Sequence, residues 1–255
     1  MLTFISCAKT MTNKSKVSTT FSSSLPAFEM FADQHARELR NYSTEELAKL
    51  LHVNPKLAAE NKIRYNDFFS ETNPNLPAIL SYTGMVFKHI NAIDFTTEDF
   101  QYAQSHLLIS SFLYGLLRPL DLIKNYRLEG SIRLGSTNEE TMFNFWKPIL
   151  TDFFIHAIKE QGGTLINLAS EEMKNLFNWK KVCDETHVIT PEFYTLQNGK
   201  LKAVTVYAKM CRGEMTRFIL KNRIEDFKML KTFEWEGFIL DESRSTENEF
   251  YYILK

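Results

Sequence analysis

Glycine is scarce in this chain, and its scarcity restricts how the chain could fold around a phosphate group. Only 9 of the 255 residues are glycine, roughly half of the usual share of about 7%. The sequence contains neither G-x-G-x-x-G nor G-x-x-x-x-G-K-S/T, which excludes a standard Rossmann or P-loop phosphate site. It also lacks G-x-S-x-G, the pattern of a nucleophile-elbow hydrolase.

Cysteine and histidine give no sign of a metal site or a disulfide scaffold. Cys7, Cys183 and Cys211 include no C-x-x-C pair, and the six histidines never recur at the spacing of a helical metal site. We therefore expect no metal and no cofactor. The N-terminal segment lacks the basic start of a signal peptide, and no apolar run is long enough to span a membrane. These features predict a cytoplasmic protein that does not bind membranes.

Apolar runs and turn signals predict a mixed β-sheet. The clearest hairpin joins residues 193–197 to 201–206 through Asn198-Gly199, because these two residue types accept the positive φ angles of a type I′ turn. The other predicted strands are residues 2–6, 107–110 and 165–168 and a closing pair, 233–240 and 250–254.

Helices are predicted around this sheet, after a mobile, Ser/Thr-rich surface loop at 12–24. Ser43 and Glu46 have the spacing of a capping box at the start of a helix, and Ser170 is predicted to cap another. The predicted helical segments are a subregion at 26–70, a helix at 98–106 and a helix at 207–231. With no repeat and no linker in the sequence, we predict one α+β domain over residues 1–255, a mixed sheet surrounded by helices.

The segment 43–65 has the spacing of a helix-hairpin-helix motif, whose usual form is L-x-x-L-x-G-V-G-x-x-x-A. The positions in register are Leu47, Leu50, Val53 and Ala58. Such a hairpin aims backbone N–H groups at a phosphate, and the positive end of the second helix dipole adds attraction. His52 and Asn54 stand where the motif usually has glycine, although both residue types tolerate left-handed backbone angles. The alternative is an ordinary turn between two helices.

The formal net charge of −1 conceals an uneven distribution. Residues 1–24 carry +3, residues 201–231 carry +5 and residues 232–255 carry −4. The basic helix within 201–231 is either a solvated face or a phosphate-binding surface.

Two arginines and two acids stand out in the largely apolar and aromatic segment 110–130. They are Arg118, Asp121, Arg127 and Glu129. Because an isolated buried charge is costly, charges in such a setting must pair. The segment therefore forms either an internal arginine–carboxylate network or a polar pocket for a phosphate or nucleotide.

Several motifs together resemble the YaaA family of peroxide-stress-resistance proteins, nearly from end to end. The matching stretches are Ser6–Thr10, Leu57-Ala58 through Asn61 to Tyr65, Gly84, Ala92, Leu113–Ile123, Tyr126–Glu129, Asn167–Ser170, Ala208-Lys209, Arg212-Gly213 and Met215. The family usually has proline where Cys7 stands, and a basic residue and alanine where Met210 and Cys211 stand. The resemblance implies a single domain of the family's own fold, binding of double-stranded DNA and a role in oxidative-stress defence. It also implies a helix-hairpin-helix motif beside a positively charged cleft.

The leading hypothesis is a non-enzymatic protein that binds duplex or branched DNA through its backbone. In this hypothesis the hairpin at Val53, Asn54 and Lys56 holds a phosphate, and further cations line a cleft along the DNA. The cleft residues are Lys9, Lys62, Arg64, Lys209, Arg212 and Arg217. The binding would be independent of sequence and sensitive to salt.

The alternative hypothesis is an enzyme that acts on a nucleotide or another phosphorylated substrate. Its site would comprise Lys9, Arg127, Glu129 and Lys209, with Glu129 as the base and the cations as electrostatic stabilisers.

Overall fold

A computed structural model describes residues 1–15, 17 and 19–255. Within them, an eight-stranded mixed sheet has the order β4-β3-β1-β6-β7-β10-β9, and β8 pairs with β7. The strands are β1 Leu2–Ile5, β3 Leu107–Ser111, β4 Gly115–Leu117, β6 Thr164–Asn167, β7 His187–Gln197, β8 Lys200–Lys202, β9 Phe238–Leu240 and β10 Glu249–Leu254. A separate short pair joins β2 Leu76–Pro77 to β5 Leu122–Ile123.

The centre of the sheet is parallel. Strand β1 lies between β3 and β6, with Phe4 opposite Leu108 on one side and Asn167 on the other. All four residues of β1 are buried, as expected for a strand covered on both faces. The carboxyl ends of β1, β3 and β6 therefore meet at one edge of the sheet.

Helices occupy the connections between these strands. They are α1 Glu29–Asn41, α2 Thr44–Leu50, α3 Pro55–Asn66, α4 Ala78–Ser81, α5 Met85–Ile90, α6 Thr97–His106, α7 Met142–Glu160, α8 Trp179–Glu185 and α9 Thr205–Lys221. The predicted mixed sheet surrounded by helices is confirmed as a single domain. Because its central strands are parallel and helices join them, the class is α/β rather than the predicted α+β.

Most of the local signals in the sequence are confirmed. Ser43 and Glu46 form the predicted capping box at α2, and Thr96 begins α6 with another. The hairpin between β7 and β8 has φ angles of 51° at Asn198 and 74° at Gly199, both positive as a type I′ turn requires. Its second strand ends at Lys202, before the predicted 206, because α9 begins at Thr205.

Three predicted elements differ in detail. The helix predicted over 207–231 ends at Lys221, and a 3₁₀ helix follows at Phe227–Thr232. Ser170 precedes a 3₁₀ helix and makes no capping bond. Its hydroxyl bonds that of Ser6 instead. The described part of the predicted loop at 12–24 contains no helix, while Lys16 and Ser18 lie outside the described residues.

Helix α7 packs against the sheet and carries both core and cleft residues. Trp146 is fully buried and its indole Nε1–H donates to the Phe112 carbonyl at 2.8 Å. Pro148 lies inside the helix and supplies no backbone N–H. None of the helices in the described ranges has the length and apolar character needed to cross a membrane.

Candidate functional site

A cleft of about 680 Å³ opens at the carboxyl edge of β1, β3 and β6. It is lined mainly by residues 6–10 after β1, residues 126–131, residues 170–173 after β6, and one face of α9. Crevices at the carboxyl ends of parallel strands are the usual ligand sites of α/β folds. Its volume is also typical of a site for a small molecule.

One face of α9 forms a wall of the cleft. The residues on this face are Thr205, Ala208, Lys209 and Arg212, which recur at the helical spacing of three and four. Gly213 lets α9 approach α5 closely, because a Cβ there would lie 2.4 Å from the Val86 carbonyl oxygen and 2.6 Å from the His89 Cβ. The position of Lys209 and Arg212 in the cleft therefore depends on a close contact between two helices.

Glu129 holds two of the cleft's cations. The Lys9 Nζ lies 2.8 Å from Glu129 Oε2, and the Arg127 Nη2 lies 3.0 Å from Glu129 Oε1. The Glu129 side chain remains 28% exposed, so it faces the cleft rather than the sealed core. Glu171 and Glu172 also line the cleft. The site therefore presents both signs of charge.

Arg212 differs from these paired cations. Its side chain is half-buried, yet its guanidinium makes no ion pair with the described residues. Its Nε–H is buried without a hydrogen-bond acceptor, as is the Nε–H of Arg127. Burial lowers the pKa of Arg212, and the more distant Glu192 and Glu171 carboxylates oppose that shift. A desolvated cation without a protein partner is costly and is suited to an anionic ligand.

The polar groups at the end of β1 do not include an activated nucleophile. The Ser6 and Ser170 hydroxyl oxygens lie 3.1 Å apart, and the Ser170 N–H donates to Ser6 Oγ. Burial raises the pKa of the Cys7 thiol to about 12, so this cysteine stays protonated and reacts slowly with electrophiles and oxidants. The arrangement can bind and orient an anion, whereas Cys7 is unsuited to thiol chemistry.

Of the predicted DNA-contacting cations, the structure brings Lys9, Lys209 and Arg212 together in the cleft. It does not bring Arg217 there. The Arg217 guanidinium donates to both carboxylate oxygens of Asp94, at 2.8 and 2.7 Å, and to the Ile90 and Asn91 carbonyls. Arg217 thus ties α9 to the segment between α5 and α6.

The turn between α2 and α3, residues 51–54, lies at the centre of the predicted helix-hairpin-helix motif. His52 has a φ of 51°, which is the left-handed conformation that glycine would supply. Asn54 has a φ of −68° and its side chain accepts from the Leu57 N–H at 2.9 Å, so it caps α3. The Val53 N–H bonds to the Ala48 carbonyl. Among the described residues, the Asn54 and Lys56 N–H groups have no acceptor.

The other predicted cations near this turn lie on α3, and two of them have partners within the fold. Lys62 donates to the Arg40 and Tyr42 carbonyls, both at 2.7 Å. Arg64 pairs with Glu60, four residues earlier on α3. Lys56 remains exposed. Two of the three predicted lysine and arginine contacts at α3 therefore have internal partners.

The four charged residues predicted for one polar pocket separate into two places. Asp121 is buried and accepts from the Arg118 N–H at 2.8 Å and the Ser24 hydroxyl at 2.6 Å. This pair forms an internal network outside the cleft lining. Arg127 and Glu129 lie in the cleft.

Sequence reasoning did not single out the aromatic side of the cleft. Phe112 and Phe143 line it, with their rings edge to face at 5.3 Å between centroids. Phe143 lies on α7, a helix that the sequence patterns did not predict, whereas Phe112 lies two residues after the strand predicted at 107–110. Within the described residues, no group of three or more His, Cys, Asp or Glu could hold a metal ion.

Together, the fold and the site define a single-domain α/β protein with a ligand-sized cleft of mixed charge at the carboxyl edge of its parallel strands. The family profile described as "Peroxide stress protein YaaA" matches residues 1–244. The chain therefore belongs to the peroxide stress protein YaaA family, as its motifs indicated.

Curated relatives match over the full length. A UPF0246 protein of Phocaeicola vulgatus is 58% identical over 254 residues, covering 100% of this chain and 99% of the relative. A UPF0246 protein of Bacteroides fragilis is 55% identical and covers 99% of this chain and 98% of the relative. One from Porphyromonas gingivalis is 43% identical, with 100% of both chains covered.

Proposed function

We propose that this peroxide stress protein binds duplex or branched DNA through the phosphate backbone, without reading base sequence. The observation that carries this proposal is the convergence of Lys9, Lys209 and Arg212 on one cleft. Lys9 and Lys209 are exposed, and Arg212 has no carboxylate partner among the described residues. Lysine and arginine contacts to phosphates supply most of the affinity in non-specific DNA binding.

The turn at residues 51–54 supports a second phosphate contact. Helix α3 begins directly after this turn, and the positive end of its dipole is suited to a phosphate. The Lys56 N–H and the exposed Lys56 side chain lie at the same end of the helix. Tyr65 lies ten residues after Pro55, about 15 Å along the helix, and its hydroxyl donates to the Arg127 carbonyl at 2.5 Å. Since phosphates recur about every 3.4 Å along a strand, the length of α3 corresponds to only a few phosphates of one strand.

Duplex affinity measured by fluorescence anisotropy at two salt concentrations tests this proposal. Lys56→Glu and Lys209→Glu should each weaken binding about tenfold at low salt, since each reverses one charge at a phosphate contact. Lys180→Glu is the matched control, because Lys180 is exposed on α8 outside the cleft and the turn. Lys62 is unsuitable, because its replacement would also remove two bonds to α1 and its C-cap.

The outcomes separate the two contact regions. If Lys209→Glu weakens binding and Lys56→Glu does not, the cleft binds DNA and the turn is only a connection between helices. Affinity that is equal in all three variants and the wild type would contradict the proposal. Parallel titration of a four-way junction would show whether branched DNA is preferred.

A second candidate is catalysis on a nucleotide or phosphorylated substrate, and the position of Glu129 favours it. This carboxylate faces the cleft between Lys9 and Arg127, where it could act as a general base beside cations that stabilise negative charge. Incubation with nucleotides and short DNA, followed by mass spectrometry, should then reveal a product that Glu129→Gln does not form. Product formed equally by Glu129→Gln would exclude Glu129 as the base.

A further inference from the structure

The cleft is too small to hold a duplex. Its lining combines cations with aromatic side chains, which a free phosphate alone would not use. Its volume of about 680 Å³ lies within the range of small-molecule sites, roughly 300–1,000 Å³. A major groove alone is about 12 Å wide, so a whole duplex can only lie across the opening. What the interior could hold is a single small anion with an apolar part.

Two buried guanidinium N–H groups mark the anionic end of such a ligand. The Nε–H groups of Arg127 and Arg212 both lack acceptors, and both residues line the cleft. Buried donors are satisfied in the great majority of cases, and each exception requires an explanation. Arg127 has Glu129 as an ion-pair partner, whereas Arg212 has none among the described residues. A phosphate held by the Arg212 guanidinium and the neighbouring Lys209 would supply the missing opposite charge.

Aromatic side chains mark the apolar end. Phe112 is buried and Phe143 is partly exposed, and both line the same cleft. The Phe143 ring packs closely against Gly130, where an added Cβ would come within 2.3 Å of ring atoms. The glycine thus leaves room for the ring, and a fixed, partly exposed ring is a stacking surface that any base can use.

We propose that the cleft binds one unstacked nucleotide, with its phosphate at Arg212 and Lys209 and its base against Phe112 and Phe143. The nucleotide could be free, or it could be turned out of a DNA strand that lies across the opening, as enzymes that act on bases do. The site does not depend on duplex binding, because a free nucleotide can enter the cleft alone. The chemistry recognised is the same in both cases: a phosphate monoester or diester attached to a nucleoside.

The first arm of the test uses free ligands and calorimetric titration of the full chain. We expect deoxyadenosine monophosphate to bind at least tenfold more tightly than either deoxyadenosine or inorganic phosphate. Arg212→Gln should weaken nucleotide binding about tenfold or more, and Phe143→Ala should weaken it without changing phosphate binding. Lys209→Gln, at an exposed position, tests the phosphate end a second time and should also weaken nucleotide binding. Arg244→Gln, at an exposed arginine outside the cleft, should change nothing.

The second arm uses a duplex that carries 2-aminopurine at its centre. Extrusion of this base should raise its fluorescence when the wild-type chain binds, and Arg212→Gln should abolish the rise. Binding in the first arm alone identifies a free nucleotide, and a response in the second arm alone identifies a nucleotide within DNA.

The proposal is overturned if neither arm responds, or if Arg212→Gln responds like the wild type. It is also overturned if inorganic phosphate binds as tightly as the nucleotide and 2-aminopurine stays quenched. Failure of duplex binding would contradict the proposed function while leaving the first arm intact, so the two proposals can fail separately.

Discussion

Helix α9 carries two arginines in opposite situations, only five residues apart. Arg217 is held by Asp94 and by two backbone carbonyls. Arg212 lies in the cleft without an ion pair among the described residues, and its Nε–H is buried without an acceptor. One end of the helix thus uses its charge to join elements of the fold, and the other presents its charge to the cleft.

The difference shows why a count of basic residues does not locate a binding surface. Residues 201–231 carry a net +5, but Arg217 and Lys221 from this segment are neutralised by Asp94 and Asp99. These acids lie more than a hundred residues earlier in the sequence. The charge available to a ligand is therefore only the part without an internal partner, and in the cleft that part comprises Lys209 and Arg212.

The largest expected effect on stability comes from a substitution at Gly213, in the middle of α9. Gly213→Ala should lower the free energy of unfolding by about 3 kcal/mol, because a Cβ there would overlap backbone of α5 and overpacking of this kind costs about 1–3 kcal/mol or more. Urea unfolding measures this loss. Gly135→Ala is the matched control, since a Cβ at Gly135 meets nothing closer than 3.5 Å, and its effect should be below about 0.5 kcal/mol. Equal effects at both positions would refute the close contact between α5 and α9.

The next effect contrasts the two arginines directly. Arg217→Met should lower the free energy of unfolding by about 1–2 kcal/mol, since it removes charge-assisted bonds that solvent screens in part. Arg212→Met should leave stability unchanged or raise it by up to about 1 kcal/mol, because it removes a desolvated charge without a partner. A larger loss for Arg212→Met than for Arg217→Met would reverse the roles assigned to the two ends.

The smallest expected effect is the pH dependence of the stability that the Asp94–Arg217 pair contributes. Hydrogen bonding to Arg217 lowers the pKa of Asp94 below its usual value of 3.8. A carboxyl group with a lowered pKa in the folded state stabilises that state above its unfolded pKa, and the contribution is lost as pH falls through the folded pKa. The stability difference between wild type and Arg217→Met should therefore be constant from pH 7 to 5 and shrink below about pH 4. Urea unfolding at pH 7, 5 and 3.5 measures it, and a difference that grew in acid would contradict the pairing.

Sequence reasoning predicted the parts of this fold that depend on neighbouring residues. The capping box at Ser43 and Glu46 and the turn at Asn198-Gly199 are set by local side-chain chemistry and backbone preference, so the sequence displays them. Parallel pairing is different, because the register of β1 with β3 joins residues about a hundred positions apart. The predicted strands all occur, although the one predicted over 233–240 comprises only Phe238–Leu240. The parallel arrangement that creates the cleft was not anticipated.

Helix α7 shows another limit of sequence patterns. Its sequence contains Pro148 and is rich in aromatic residues, neither of which favours a helix in isolation. Burial of Trp146, Leu150 and Phe154 in the core stabilises it instead, which is a tertiary effect. Phe143 and its part of the cleft were missed for this reason.

The candidate site was predicted in part. Lys9, Arg127, Glu129, Lys209 and Arg212 do share one cleft, where Glu129 pairs with Lys9 and Arg127. Lys62, Arg64 and Arg217 have partners elsewhere in the fold. Residue type and spacing identify cations that could bind a phosphate. Only the positions of distant carboxylates and carbonyls determine which of them remain available.

The central claim is that the cleft end of α9 binds DNA phosphates, and the salt dependence of duplex affinity tests it most directly. Removal of one cation that neutralises a phosphate should reduce the slope of log affinity against log salt by about 0.9. The double variant Lys209→Gln/Arg212→Gln should therefore show a slope lower by nearly 2 than the wild type, with Arg244→Gln unchanged. A slope in the double variant equal to that of the wild type would contradict the account.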